Sequence, residues 1–143
     1  MTHQTFNAEC FRAFPHLREV AAEKFDYFGD EEPGSYLIFE GLLVPEIESA
    51  ASRDPEYLER LMSFVEEVAQ PGFGACDDLV VIGLGEVIAS SANEAKIRAV
   101  AGPNTTIAIQ KAERSAEKIR LHRDRSPIAS LVRRVLWPGR FKD

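Results

Sequence analysis

Histidines at positions 3, 16 and 122 are the only side chains whose ordinary titration falls near neutral pH. None stands at a spacing from a cysteine, a carboxylate or another histidine that builds a metal motif, so each is expected on or near the surface. Cys10 and Cys76 have no close partner in sequence and no CxxC arrangement, and are expected as buried thiols in a reducing compartment. The segment Val80-Val81-Ile82-Gly83-Leu84-Gly85-Glu86-Val87-Ile88 imitates a dinucleotide fingerprint, with two glycines after an apolar run. Ile88 stands where the third glycine belongs, and Glu86 would set a negative charge against a pyrophosphate. No second β-type segment follows, and close packing of another helix is the better use for Gly83 and Gly85. Nucleophile elbows and phosphate loops are missing from the sequence. A triad can be assembled in space without a motif, but the chain is not expected to be an enzyme, and neither a cofactor nor a metal is expected.

The carboxylates are more informative. Asp30, Glu31 and Glu32 share a loop, Glu66 and Glu67 lie near the end of a helix, and Asp77 and Asp78 open the next apolar segment. Where consecutive helices are antiparallel, the last four meet at one end of a bundle and form a negative patch. Such a patch raises the rate of encounter with a basic partner and adds specificity. All seven acids are therefore candidate partner-binding residues. The alternative is that Asp77 and Asp78 complement a helix N-terminus while the others are solvated.

Charge is also uneven along the chain. Residues 1–93 carry 18 acids against 5 bases, a net of −13, and residues 94–143 carry 5 against 12, a net of +7. The basic half is expected either to meet an electrostatic partner or to neutralise the acidic body. Arg120, Arg123, Arg125, Arg133 and Arg134 could in principle meet nucleic acid or an anionic membrane surface. Trp137 and Phe141 follow these arginines instead of interleaving with them, so nucleic acid is not the expected partner.

The elements that must position these residues read as helices. Phe6, Cys10, Phe14, Leu17, Ala21, Phe25 and Phe28 recur at steps of three and four, with Pro15 dividing the stripe. A loop at 29–34 precedes a helix with Tyr36, Leu37, Phe39, Leu42, Leu43 and Ile47 on its inner side, bent by Pro45. Asp54 as N-cap and Pro55 at the first position open a third helix, with Tyr57, Leu58, Leu61, Met62, Phe64, Val65 and Val68 inward and Pro71-Gly72 after it. Residues 75–91 fit a buried strand by composition and a buried helix by the spacing of 80, 84, 87 and 88; the helix is preferred. A short helix over 92–101 ends at Gly102-Pro103. Asn104 or Thr105 is expected to cap the next, with a narrow stripe of Ala108, Ala112, Ala116 and Ile119. Ser126 and Pro127 open a last helix, closed by Pro138-Gly139. The expected fold is all-α: an antiparallel array of about six to eight helices in hairpins, either degenerate HEAT-like or an irregular bundle. Residues 1–124 form the helical domain, and 125–143 a basic amphipathic helix and tail docked on it. The most apolar stretch, 79–88, is far shorter than the roughly 20 residues a membrane span needs. The N-terminal stretch does not read as a signal peptide, so no membrane insertion and a cytoplasmic location are expected.

The stretches EEPGSYLIFEGLLVPEIESA (31–50), DPEYLERLMSFVEEVAQPGFGACDDLVVIGLGEVI (54–88) and AVAGPNTTIAIQKAE (99–113) carry a further signal. Together they resemble a family of small bacterial helical proteins that look like the immunity proteins of polymorphic-toxin and contact-dependent competition systems. The resemblance implies no catalytic residues. It implies inhibition by tight binding, with acidic residues masking the active site or substrate groove of a toxin domain with a basic surface. The basic segment after Ser126 departs from the shared pattern. The alternative expectation is a small helical adaptor or regulatory module that binds another protein.

Overall fold

The computed structural model describes residues 1–125, the side chains of Tyr27, Asp124 and Arg125 excepted. The helix expected to begin at Ser126 lies outside the described residues. The fold is all-α: no strand forms among the described residues, and one isolated antiparallel bridge joins Thr2 to Ala75. The chain divides into two compact units, Met1–Ala112 and Glu113–Asp143.

The first unit begins with α1 (His3–Ala13), whose first turn is closed by a reciprocal Thr2–Thr5 capping box. Helix α1 ends just before Pro15, and α2 (Leu17–Lys24) follows. The stripe from Phe6 to Phe25 is buried as its spacing requires. Helix α3 (Ser35–Ile38) then runs through a wide π segment (Phe39–Leu43) into α4 (Val44–Arg53). Its cause lies in Pro45, which has no N–H to return to the carbonyl of Gly41. Lys24 Nζ donates to that carbonyl at 2.5 Å instead. Gly41 also lets the Phe25 ring close in, since a Cβ there would lie 2.9 Å from its Cζ. The π segment changes which residues face inward. Ile38, Phe39, Leu42, Leu43 and Ile47 are buried, whereas Tyr36 and Leu37, expected inside, are exposed.

A single non-helical residue, Asp54, separates α4 from α5 (Pro55–Val68), and its carboxylate accepts the amide of Tyr57 at 3.1 Å. Residues 80–88 are helical despite their β-branched side chains: a π segment (Val80–Gly85) continues as α6 (Glu86–Ile88). Here glycine makes room for neighbours. A Cβ on Gly83 would come 2.5 Å from the Phe39 ring, and one on Gly85 would collide with the Ala112 methyl. Two wide turns thus pack on each other, Phe39 of the first filling the gap left by Gly83 of the second. Helix α7 (Glu94–Ala99) leads to α8 (Pro103–Arg125). Within the first unit, α8 buries Thr105, Ala108, Ile109 and Ala112.

Aromatic rings tie the core together. Phe6 meets Phe39 and Phe64 at centroid distances of 5.9 and 6.0 Å, and Phe14 meets Phe64 edge-on at 5.5 Å. In the second unit, α8 continues from Glu113 with Glu117 and Arg120 paired at 2.8 Å along one face. Burial does not extend to Ala116 or Ile119, the latter 63% exposed, so the expected stripe stops at Ala112. No helix among the described residues is long and apolar enough to cross a membrane.

Candidate protein-binding surface

The expected acidic residues are put to different uses. Glu66, near the end of α5, turns toward the start of α8. Its Oε2 accepts the amide and hydroxyl of Thr105 at 2.9 and 2.7 Å, and its Oε1 accepts the amide of Asn104 at 2.8 Å. Burial raises the carboxyl pKa, but the Thr105 and Asn104 donors outweigh it and hold the group below its ordinary value. The cap expected from Asn104 or Thr105 comes instead from a residue 38 positions earlier in sequence. Gly102 passes so close to the Glu66 carboxylate that a Cβ there would collide with it.

Asp78 is likewise engaged within the fold, accepting His3 Nε2 at 2.8 Å while His3 Nδ1 meets Ser35 Oγ at 2.8 Å. Serine, histidine and aspartate thus form one hydrogen-bonded chain. Its hydroxyl sits on Nδ1 and its carboxylate on Nε2. The His3 and Asp78 side chains are 45% and 56% exposed, so water screens the pair. What the arrangement does is join the starts of α1, α3 and the second π segment. His16 Nε2 bonds the Tyr57 hydroxyl at 2.9 Å, and that phenol is pushed up chiefly by burial and by nearby Glu46. No group of three His, Cys, Asp or Glu among the described residues has the geometry to hold a metal ion.

Asp30, Glu31 and Glu32 are exposed in their loop, and Glu31 and Glu32 border a hollow of about 440 Å³ that also touches Phe11 and Arg18. Arg18 stands over the Phe11 ring at 5.0 Å. Asp77 is half-buried.

Glu67 faces away from its neighbour Glu66, into a groove between α1 and α5. Two hollows, of about 580 and 400 Å³, share Glu67 as a common wall. One wall of the groove is Thr5, Glu9 and Ala13 of α1, at steps of four. The other is Glu56, Glu59, Ser63 and Glu67 of α5, at steps of three and four. Since Met1 and Thr5 face Gln70 while Ala13 faces the start of α5, the two helices run antiparallel. The buried rings of Phe14 and Phe64 form the floor. Arg60, the one base on the walls, lies over the Tyr57 ring at 5.8 Å, and Arg12 pairs with Glu9 just outside. Glu56, Glu59 and Glu67 have no ion-pair partner among the described residues. Of these walls, only Glu67 was among the expected binding residues. Glu9, Glu56 and Glu59 belong to helix faces that the periodicity assigns simply to solvent.

Both cysteines are buried thiols. Burial pushes Cys10 up to about 12, and raises Cys76, whose Sγ donates to the carbonyl of Met1 at 3.5 Å. No family model, curated protein or solved structure matches the chain.

Proposed function

We propose that this chain is an immunity-like protein of the cytoplasm, which binds a cognate bacterial toxin and neutralises it by occlusion. The observation that carries the reading is the groove between α1 and α5. Glu56, Glu59 and Glu67 stand without ion-pair partners among the described residues along one helical wall, facing Glu9, which pairs with Arg12, on the other. A toxin that acts on nucleic acid or another anion carries a basic groove, and a row of carboxylates competes for it directly. No covalent chemistry is needed. Exposed Asp30, Glu31 and Glu32 and half-buried Asp77 extend the negative surface, whereas Glu66 and Asp78 contribute to it only through the fold they hold together.

Co-expression with the product of the neighbouring gene tests the reading. Rescue of growth and co-purification of the two proteins is the expected outcome. A neighbour that stays toxic, or is not toxic at all, and does not co-purify would remove the basis for the proposal.

A further inference from the structure

We infer that the groove between α1 and α5 receives an amphipathic helix, its cationic side chains between the carboxylate walls and its apolar ridge on Phe14 and Phe64. The inference rests on the reading of the acidic groove as the partner site and specifies what enters it.

Three features point to a helix. Both walls repeat at helical spacing: Thr5, Glu9 and Ala13 on one side and Glu56, Glu59, Ser63 and Glu67 on the other. A third helix lying along them meets one rung per turn, as ridges meet grooves between packed helices. The 14 residues of α5 give the groove a length of about 21 Å at roughly 1.5 Å per residue, enough for about four turns. Finally, one side chain on each wall is short: Ser63 midway along α5 and Ala13 at the end of α1. Beneath Ala13 and Ser63 the floor is aromatic, with the edges of Phe14 and Phe64 lining the hollow.

Charge selects the kind of helix. Glu56, Glu59 and Glu67 of α5 line one wall without ion-pair partners among the described residues, Glu9 on the other is paired with Arg12, and the single lining base, Arg60, is drawn over Tyr57. Lysine or arginine on the flank of the incoming helix that faces α5 complements that wall, while leucine-like side chains lie toward the rings. At the Gln70 end, the chain leaves α5 through a loop carrying a fully exposed Phe73, and Ala75 of this loop is bridged to Thr2. Phe73 extends the apolar contact beyond the last turn of the groove.

The test uses a synthetic 14-residue amphipathic peptide of leucine and lysine, labelled for fluorescence anisotropy and titrated with the full chain. Two controls accompany it: the same peptide with glutamate for lysine, and a scrambled leucine–lysine peptide of identical composition. The amphipathic lysine peptide is expected to bind at least about tenfold more tightly than either control. The triple variant Glu56→Lys, Glu59→Lys, Glu67→Lys should abolish that preference, and Ser63→Tyr should block binding by bulk without changing charge. Phe73→Ala should weaken it severalfold. These positions are all exposed, so circular dichroism should report an unchanged fold. Equal binding of the scrambled peptide, or full affinity in both the triple variant and Ser63→Tyr, would overturn the inference. A neighbour product that is neutralised and co-purifies equally well with the triple variant sinks the groove but leaves the immunity reading intact. Binding of the peptide without neutralisation of the neighbour does the reverse.

Discussion

Glu66 caps helix α8 from α5, its two carboxylate oxygens accepting the amides of Asn104 and Thr105 at 2.8 and 2.9 Å. The first turn of α8 has donors with no partner inside the helix, and a carboxylate at that end also complements the helix dipole. One side chain thus closes a helix and fastens it to the unit that holds the core.

Removing this cap should lower stability. Glu66→Ala is expected to cost about 1–2 kcal/mol, the range for loss of a capping side chain, and Glu66→Gln should cost less because one acceptor remains. Urea denaturation followed by circular dichroism gives the comparison. A midpoint unchanged in Glu66→Ala would show that the bonds contribute nothing net.

The same contact has a pH signature. The folded-state pKa of Glu66 is lowered, so its contribution is present in full above the unfolded-state value of about 4.3 and is lost as pH falls through the folded-state value. The stability difference between the native chain and Glu66→Gln should be widest at neutral pH and close on acidification. A difference that stayed constant from neutral pH to pH 3 would remove the ionised carboxylate from the explanation.

Both cysteines should be silent in the folded chain. Burial raises each thiol, Cys10 to about 12, so little thiolate forms at pH 8 and neither sulfur is open to reagent. Ellman's reagent is expected to react only after denaturant is added. Linkage runs opposite to that of Glu66: the stabilisation from Cys10 is complete below the ordinary thiol value of about 8.5 and declines as pH rises toward the folded value. Rapid labelling of the native protein at pH 8 would contradict the burial.

The glycines of the second π segment are steric. Gly83→Ala sets a methyl against the buried Phe39 ring, and Gly85→Ala sets one against Ala112. Each should cost about 1–3 kcal/mol through overpacking. Gly34→Ala meets nothing within 4 Å and serves as the unhindered comparison. Thermal denaturation orders the three; equal midpoints would mean that the helices part without cost.

The helical stripes were legible wherever a regular period connected them. Phe6 through Phe25, the Asp54–Pro55 start of α5 and the room needed at Gly83 and Gly85 all follow from local rules. The inner face of α3 was misread at Tyr36 and Leu37 because a wide turn intervenes. A stripe extended backward from Leu42, Leu43 and Ile47 at 3.6 residues per turn slips past the π segment and misses Ile38. Glu66 could not be separated from Glu67 by sequence, since its role depends on helix amides 38 and 39 residues later. The groove was hidden for a similar reason. Glu9, Glu56 and Glu59 are ordinary solvent-face residues until α1 and α5 are set side by side, and nothing local records that pairing.

The links from Met1 and His3 to Cys76 and Asp78 also bear on how the chain assembles. Each joins residues 75 positions apart, and the Thr2–Ala75 bridge lies between them. Such contacts gain energy only after a long loop has closed, which slows their formation relative to neighbouring hairpins. Helix α1, whose first turn Thr2 and Thr5 close locally, therefore waits for the second half of the unit before its start is tied to residues 75–78. In a chain emerging residue by residue from the ribosome, α1 is made before the other helices of its unit and is among the last of them to be tied at its start.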